Sequence, residues 1–497
     1  MYSLLTMRAA TLRAAVVAGL VGLASGAHLV ALDREVEVGY GGEAHHVGAT
    51  EEATEAVLYE LQLLAIVVAV CMMIAKGTQG ATKRKILEAP TSDAVSVPDP
   101  AVLSPKRLNA LILDCRTVQE ILQVVEEHGE DLNPVNVATC VYRVARTVKS
   151  MRIKGCRTSV RDTVRSPGWV RLLTLVDSRL PALQPQSLSN ILWAFATLSW
   201  APRDGLLERL CAAATQQVAA FNPQDLANTA WALSSLKHRD EKLMRGLGRR
   251  SLEVLEHFRP QAISNLVYAF AVFEILDEDL LQAVSQRILL VVDRFTPEDL
   301  ANSAWALASL GQTSSPALPC LLAAAHGCVR SLSTHNISSI AWAAATAGQA
   351  PAGLMGELAE LSLGKLAHFS HRGLSSTMWG LAEAGVRHDG LLRAVEQVVR
   401  SKVQFFHAGE IATMTNALAR FNTDAAVLAV VYDHCATKIA GCAPKHLRLI
   451  VEAMAATPGA PNAALLDAVA GKAASEDMGG EAEAVESGVA ALRARGH

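Results

Sequence analysis

Trp193, Trp231, Tyr268, Trp305, Trp342 and Trp379 stand 38, 37, 37, 37 and 37 residues apart. A fixed period in this range marks a tandem structural repeat, which constrains the fold more than any composition does. The phase continues to Asn416 and Glu452 and reaches back to Tyr142 across a gap of 51 residues. About nine units of about 37 residues are therefore expected, degenerate at the ends, with an insertion after the first.

The clearest copies are Phe221-Asn222-Pro223-Gln224-Asp225-Leu226-Ala227-Asn228-Thr229-Ala230-Trp231-Ala232-Leu233 and Phe295 to Leu307. Thr296 is a good N-cap, Pro297 fits the first helical position, and acids follow in the first turn, so a leading helix starts there. Leu226, Ala230, Leu233 and Leu236 recur at helical spacing. The small residue after each aromatic (Ala194, Ala232, Ala269, Ala306, Ala343, Gly380) lets a neighbouring helix approach closely. A trailing amphipathic helix follows a polar turn, as in Asp240 to Glu256, Asp277 to Asp293 and Asp389 to Lys402. Two such helices cannot bury their apolar faces alone, whereas stacked copies can, so the fold class is all-α, an α-solenoid over 106–470. An Ala/Glu/Gly-rich tail at 471–497 is expected to be disordered.

With 51% hydrophobic residues the chain can build a large core. Its net charge of -3 removes the argument from overall basicity for nucleic acid, so a polyanion site must be local. Nine cysteines without a Cys-x-x-Cys pair suggest neither a zinc cluster nor a disulfide framework. No phosphate-binding loop, His-Glu-x-x-His pair, nucleophile elbow or dinucleotide turn occurs. His335, His371 and His407 fall in separate units. A non-catalytic protein without cofactor or metal is expected.

The string Leu-Ala-Asn-x-Ala-Trp-Ala-Leu at this period resembles the octotricopeptide repeat family and the repeats of organellar proteins that often end in a RAP domain. It is also similar to the helical-repeat subunits of the mitochondrial RNA-editing substrate-binding complex. The resemblance covers roughly residues 130 to 460, and no RAP domain follows Pro461. It implies a single-stranded organellar RNA partner, a role in RNA processing, editing or stability, and membership of a larger RNA-processing complex. The alternative is an armadillo-like protein-protein scaffold, which the near-neutral charge favours.

If leading helices present side chains to RNA, variable polar columns would read bases and cations would meet phosphates. The first column holds Gln186, Gln224, Gln261, Glu298, His335 and Arg372; the second holds Ser187, Asp225, Ala262, Asp299, Asn336 and Gly373. Both lie near helix starts. A third column, Ile191, Thr229, Leu266, Ser303, Ile340 and Thr377, reads as packing. Asn190, Asn228, Asn265 and Asn302, then Ser339, Ser376 and Thr413, form a near-constant column that reads as an inter-repeat hydrogen-bond ladder, with uniform RNA contact as the rival. The aromatics read as core, with base stacking as the rival. The insertion, 143–171, carries nine cations, among them Arg143, Arg146, Lys149, Arg152, Lys154 and Arg157, against the single acid Asp162. Its local charge of +8 leaves -11 for the rest, a polyanion footprint with Trp169 as a stacking partner, with a solvated surface charge run as the rival.

Upstream, residues 1–27 resemble a secretory signal, with a mitochondrial leader as the rival reading. Within 28–87, residues 56–75 are just long enough to span a membrane and would serve as a membrane tether; 88–105 reads as a linker. Signal and span in series resemble leaders that carry proteins into complex plastids, so plastid or mitochondrion is the expected destination.

Overall fold

The computed structural model describes residues 103–153, 160–459 and 462–495. The signal-like leader, the spacer with its expected span at 56–75, nearly all of the linker, Lys154 and Arg157 lie outside the described residues. Among the described residues no helix is long and apolar enough to cross a membrane.

The described residues form twenty-two α-helices and no strand. The first are α1 (Pro105–Asp114), α2 (Val118–His128), α3 (Pro134–Ile153), α4 (Val160–Arg165), α5 (Pro167–Arg179), α6 (Pro185–Leu198) and α7 (Leu206–Gln217). Then come α8 (Pro223–Leu236), α9 (Glu241–Val254), α10 (Pro260–Val272), α11 (Glu278–Val291), α12 (Pro297–Ser309), α13 (Ala317–Gly327), α14 (Thr334–Ala347) and α15 (Leu354–Gly364). The last are α16 (His371–Glu383), α17 (Asp389–Lys402), α18 (Ala408–Arg420), α19 (Ala425–Lys438), α20 (Pro444–Ala456), α21 (Ala463–Ser475) and α22 (Ala482–Arg495).

Ten hairpins result, closed by α22, where the aromatic period had indicated nine units. The additional one, α1–α2, carries Leu113 at the aromatic position, so the period search passed over it. The insertion adds one short segment: α3 runs on to 20 residues, and the one-turn-and-a-half α4 precedes α5. The tail expected to be disordered is helical. Val485, Val489 and Leu492 of α22 are buried, and Arg495 donates to the carbonyls of Met454, Ala455 and Thr457, capping the end of α20. The alanine-rich composition that suggested disorder here builds a closing helix that covers the last apolar face.

The leading helices from α3 to α20 pack broadly on one another, and the trailing helices meet through narrower contacts. Small residues make the tight layer. Ala194, Ala232, Ala269, Ala306 and Ala343 are wholly buried, and a Cβ on Gly380 would sit 2.6 Å from the Ala341 carbonyl oxygen. Capping sets each helix start. Thr296 and Asp299 form a reciprocal capping box (Asp299 N–H to Oγ1 3.3 Å, Thr296 N–H to the carboxylate 3.0 Å), while buried Phe221 before the cap and buried Leu226 inside it have the spacing of a hydrophobic staple. Helix ends are equally periodic. Ser199, Lys237, Glu274, Gly311, Gly348, Gly385 and Asn422 all have positive φ, the left-handed residue that lets the next amides reach back to orphan carbonyls.

Candidate nucleic-acid interface

A helical residue points its neighbours at i+4, i+7 and i+11 along one face. On α8 these are Gln224, Asn228, Trp231 and Ser235, of which Gln224 and Ser235 are exposed and Asn228 and Trp231 half-buried. The same stripe recurs as Gln261, Asn265, Tyr268 and Val272 on α10 and as Glu298, Asn302, Trp305 and Ser309 on α12. The aromatic column is therefore the rim of the core, with one side of each ring open. Four of the six successive ring pairs touch: Tyr142 to Trp193 5.0 Å between centroids, Tyr268 to Trp305 5.3 Å, Trp305 to Trp342 6.2 Å and Trp342 to Trp379 6.3 Å.

The layer bearing this stripe is concave. Lys445 on α20 lines the same cleft as Tyr268 on α10, five leading helices earlier. A straight stack at 8–10 Å per helix would separate them by about 40–50 Å, so the layer curves back on itself. The cleft measures about 560 Å³. Tyr268, Trp305 and Trp342 supply its aromatic surface, six serine and threonine hydroxyls line it, and His335, His368, Arg372 and Lys445 bring nitrogen donors. Among the described residues no carboxylate lines it, in a chain that carries 48 acids.

The predicted columns separate cleanly. Gln224, Gln261, Glu298, His335 and Arg372 are exposed, and the last two stand in the cleft. The second column is corrected. Asp225, Asp299 and Asn336 are 4%, 5% and 6% exposed, and their positions close the helix starts: Asp225 and Asp299 accept from their N-cap amides, and the Asn336 amide donates to Ser333. Burial raises the Asp225 pKa against the Asn222 amide bond that lowers it. The third column is buried throughout, as packing requires. The asparagine ladder is corrected too. Asn190, Asn228, Asn265 and Asn302 lie half-buried on the open stripe and make no protein hydrogen bond among the described residues, so they form no ladder.

The basic insertion divides. Residues three apart turn by about 60° per step around a helix, so the four cations of α3 do not share an environment. Arg143 is turned inward and its Nη2 donates to the Cys115 carbonyl, capping the end of α1; it is not a phosphate ligand. Arg146, Lys149 and Arg152 are exposed, and the Lys149 ammonium lies 5.9 Å from the Trp193 ring centroid, at the start of the aromatic strip. Trp169 is corrected as a stacking partner: it is wholly buried, edge-on to Phe195 and Trp200 at 6.4 and 5.7 Å.

Past Trp379 the face changes character. Asn416 donates to the Leu449 carbonyl and to Glu452. Arg420 bridges Glu383 (2.5 Å) and Glu452 (3.8 Å), and Arg448 bridges Glu452 and Glu481 (2.8 Å). The aromatic positions are here filled by groups that satisfy one another. Sequence reasoning missed His368 and Lys445 because curvature, not period, brings them to the cleft.

The family model of the RNA-editing substrate-binding complex 6 protein matches residues 178–349, which contain α6 to α14 and with them most of the cleft. A RAP domain-containing chloroplastic protein of Oryza sativa subsp. japonica is 25% identical over 161 residues, 30% of this chain and 24% of the relative. The chain thus matches about a quarter of the length of that relative.

Proposed function

We propose, on the match of residues 178–349 to the RNA-editing substrate-binding complex 6 family model, that the chain is a non-catalytic, single-stranded RNA-binding helical-repeat protein of an organelle, plastid or mitochondrion, that acts in transcript processing, editing or stability. The observation that carries this reading is the cleft: open tryptophan faces, hydroxyls and four nitrogen donors, with no carboxylate among the described residues, on the concave side of a net-acidic chain. Aromatic faces accept bases of any identity, cations meet phosphates, and the variable first column differentiates bases. The ring spacing limits the geometry. A base sandwiched between two rings needs about 7 Å, twice a van der Waals contact, and centroids 5.0–6.3 Å apart leave no such slot. Bases therefore stack on the open side of the strip, and the Asn228-type amides beside each ring are placed for their edges or for ribose.

The same groove supports a second reading, an armadillo-like scaffold for a protein subunit of an RNA-processing complex, which the chain's near-neutral charge favours. Filter binding with organellar single-stranded RNA over a salt series separates the two. RNA binding through five or six phosphates gives a log-log salt slope of about -3.5 to -4. Absence of binding at low salt, or binding indifferent to replacing Arg372 and Lys445 with Gln, removes the RNA reading.

A further inference from the structure

The unit boundary between α7 and α9 brings together three metal-ligating side chains outside the groove; Asp240 recurs one unit on as the helix cap Asp277, while Cys211 and His238 are replaced there by Gly248 and Ile275. The Cys211 thiol on α7, the His238 imidazole in the turn after α8 and the Asp240 carboxylate at the start of α9 place their ligand atoms all within 4.8 Å of one another. From these observations we infer that Cys211, His238 and Asp240 form a zinc site that staples two consecutive repeats. The inference is independent of RNA binding.

Three points carry it. Tetrahedral Zn²⁺ with bonds of about 2.3 Å to sulfur and 2.0–2.2 Å to nitrogen and oxygen sets its ligands about 3.3–3.6 Å apart. The cluster, its ligand atoms within 4.8 Å of one another, therefore needs a contraction of at most about 1.2–1.5 Å to reach that spacing, within reach of a half-exposed histidine in a turn. Each ligand is also available. One Asp240 oxygen caps α9 by accepting from the Leu243 amide at 3.0 Å, which fixes the carboxylate and leaves the second oxygen for a metal. Among the described residues the His238 ring and the Cys211 sulfur make no hydrogen bond. Finally, the position bridges repeats elsewhere by other means: Ser285, two units after Cys211, bonds through its hydroxyl to Ser315 at 2.9 Å across the corresponding turn. A thiolate, an imidazole and a carboxylate suit borderline-soft Zn²⁺ over the hard cations, and the two anionic ligands neutralise its charge, with water completing the shell. Binding transfers the Cys211 proton to solvent as the S–Zn bond forms. Burial, with Asp240 and Glu208 nearby, holds the metal-free thiol's pKa up at about 12, so affinity falls as pH is lowered.

The test uses the full chain, stripped by chelator and titrated with Co²⁺ as a spectroscopic probe, then with Zn²⁺. The expected result is one equivalent of Co²⁺ giving a thiolate-to-metal charge-transfer band and tetrahedral visible bands, both displaced by Zn²⁺, and a Zn²⁺-dependent rise in melting temperature. Cys211→Ser removes the charge-transfer band. His238→Ala, at a half-exposed position that leaves the core intact, weakens binding by more than about a hundredfold, beyond the loss of an outer-shell partner; Cys320→Ser changes neither. Octahedral cobalt spectra, an unchanged band in Cys211→Ser, or equal affinity of the wild type and His238→Ala would each reduce the cluster to adventitious binding and overturn the inference.

Discussion

Replacing Trp342 with leucine tests the groove at its centre. The ring contacts Trp305 and Trp379 at 6.2 and 6.3 Å and lines the cleft. Two losses are expected and they appear in different assays. Aromatic pairs contribute about 0.5–1.5 kcal/mol each beyond burial, so losing two lowers stability by about 1–3 kcal/mol, read from the urea midpoint. Leucine keeps the apolar stem packed on α16, and the array stays folded at 25 °C. Stacking of a base on the ring is worth about 1–3 kcal/mol, which is about a 5- to 150-fold rise in Kd, measured by fluorescence anisotropy with a labelled single strand. The salt slope should not change, since no phosphate contact is lost. A shifted urea midpoint with Kd unchanged within twofold would refute the stacking role and return the ring to packing alone.

Arg146, Lys149 and Arg152 replaced together by alanine should reduce the salt slope by about 2 for a single strand that reaches them, whereas Arg143→Ala should leave the slope alone and cost about 1–3 kcal/mol of stability by orphaning the Cys115 carbonyl; filter binding and urea melts distinguish them. Glu274 has a left-handed φ of 53°, a conformation costing a non-glycine residue about 1–2 kcal/mol, so Glu274→Gly should stabilise by up to about 1 kcal/mol after glycine's extra chain entropy, and a lower melting temperature would contradict this. Burial, aided by Lys445, lowers the His446 pKa from 6.5, and its Nδ1 accepts from the Ala443 amide at 3.2 Å. On acidification the unfolded chain takes up this proton first, so the stability His446 contributes is present above about pH 6.5 and lost as pH falls through the lowered folded value. Urea midpoints at about pH 5 and pH 7.5 should differ less in His446→Asn, which keeps an acceptor, than in the wild type.

The repeat was legible in the chain because it is enforced locally. A cap, a proline, an acid and apolar residues at three- and four-residue intervals specify a helix within one turn of themselves, and copying them every 37 residues requires a stack. The cap at Thr296 and the acids of the first turn are legible for the same reason, although the sequence also offers Asp225 and Asp299 to RNA. Separating those roles needed the depth of the neighbouring helices, which bury the second column and leave the first exposed.

What a single unit cannot encode is where its face points once many units are stacked. The small rotation between successive hairpins accumulates, turning the tryptophan column from core edge to open strip and carrying Lys445 round to Tyr268. Arg143 and Arg146 show the same limit within one helix: they differ by three residues, yet only the end of α1, 28 residues upstream of Arg143, decides that one is a cap and the other a surface cation. Periodicity determined the elements and their order; the summed rotation of their packing chose the residues that meet a ligand.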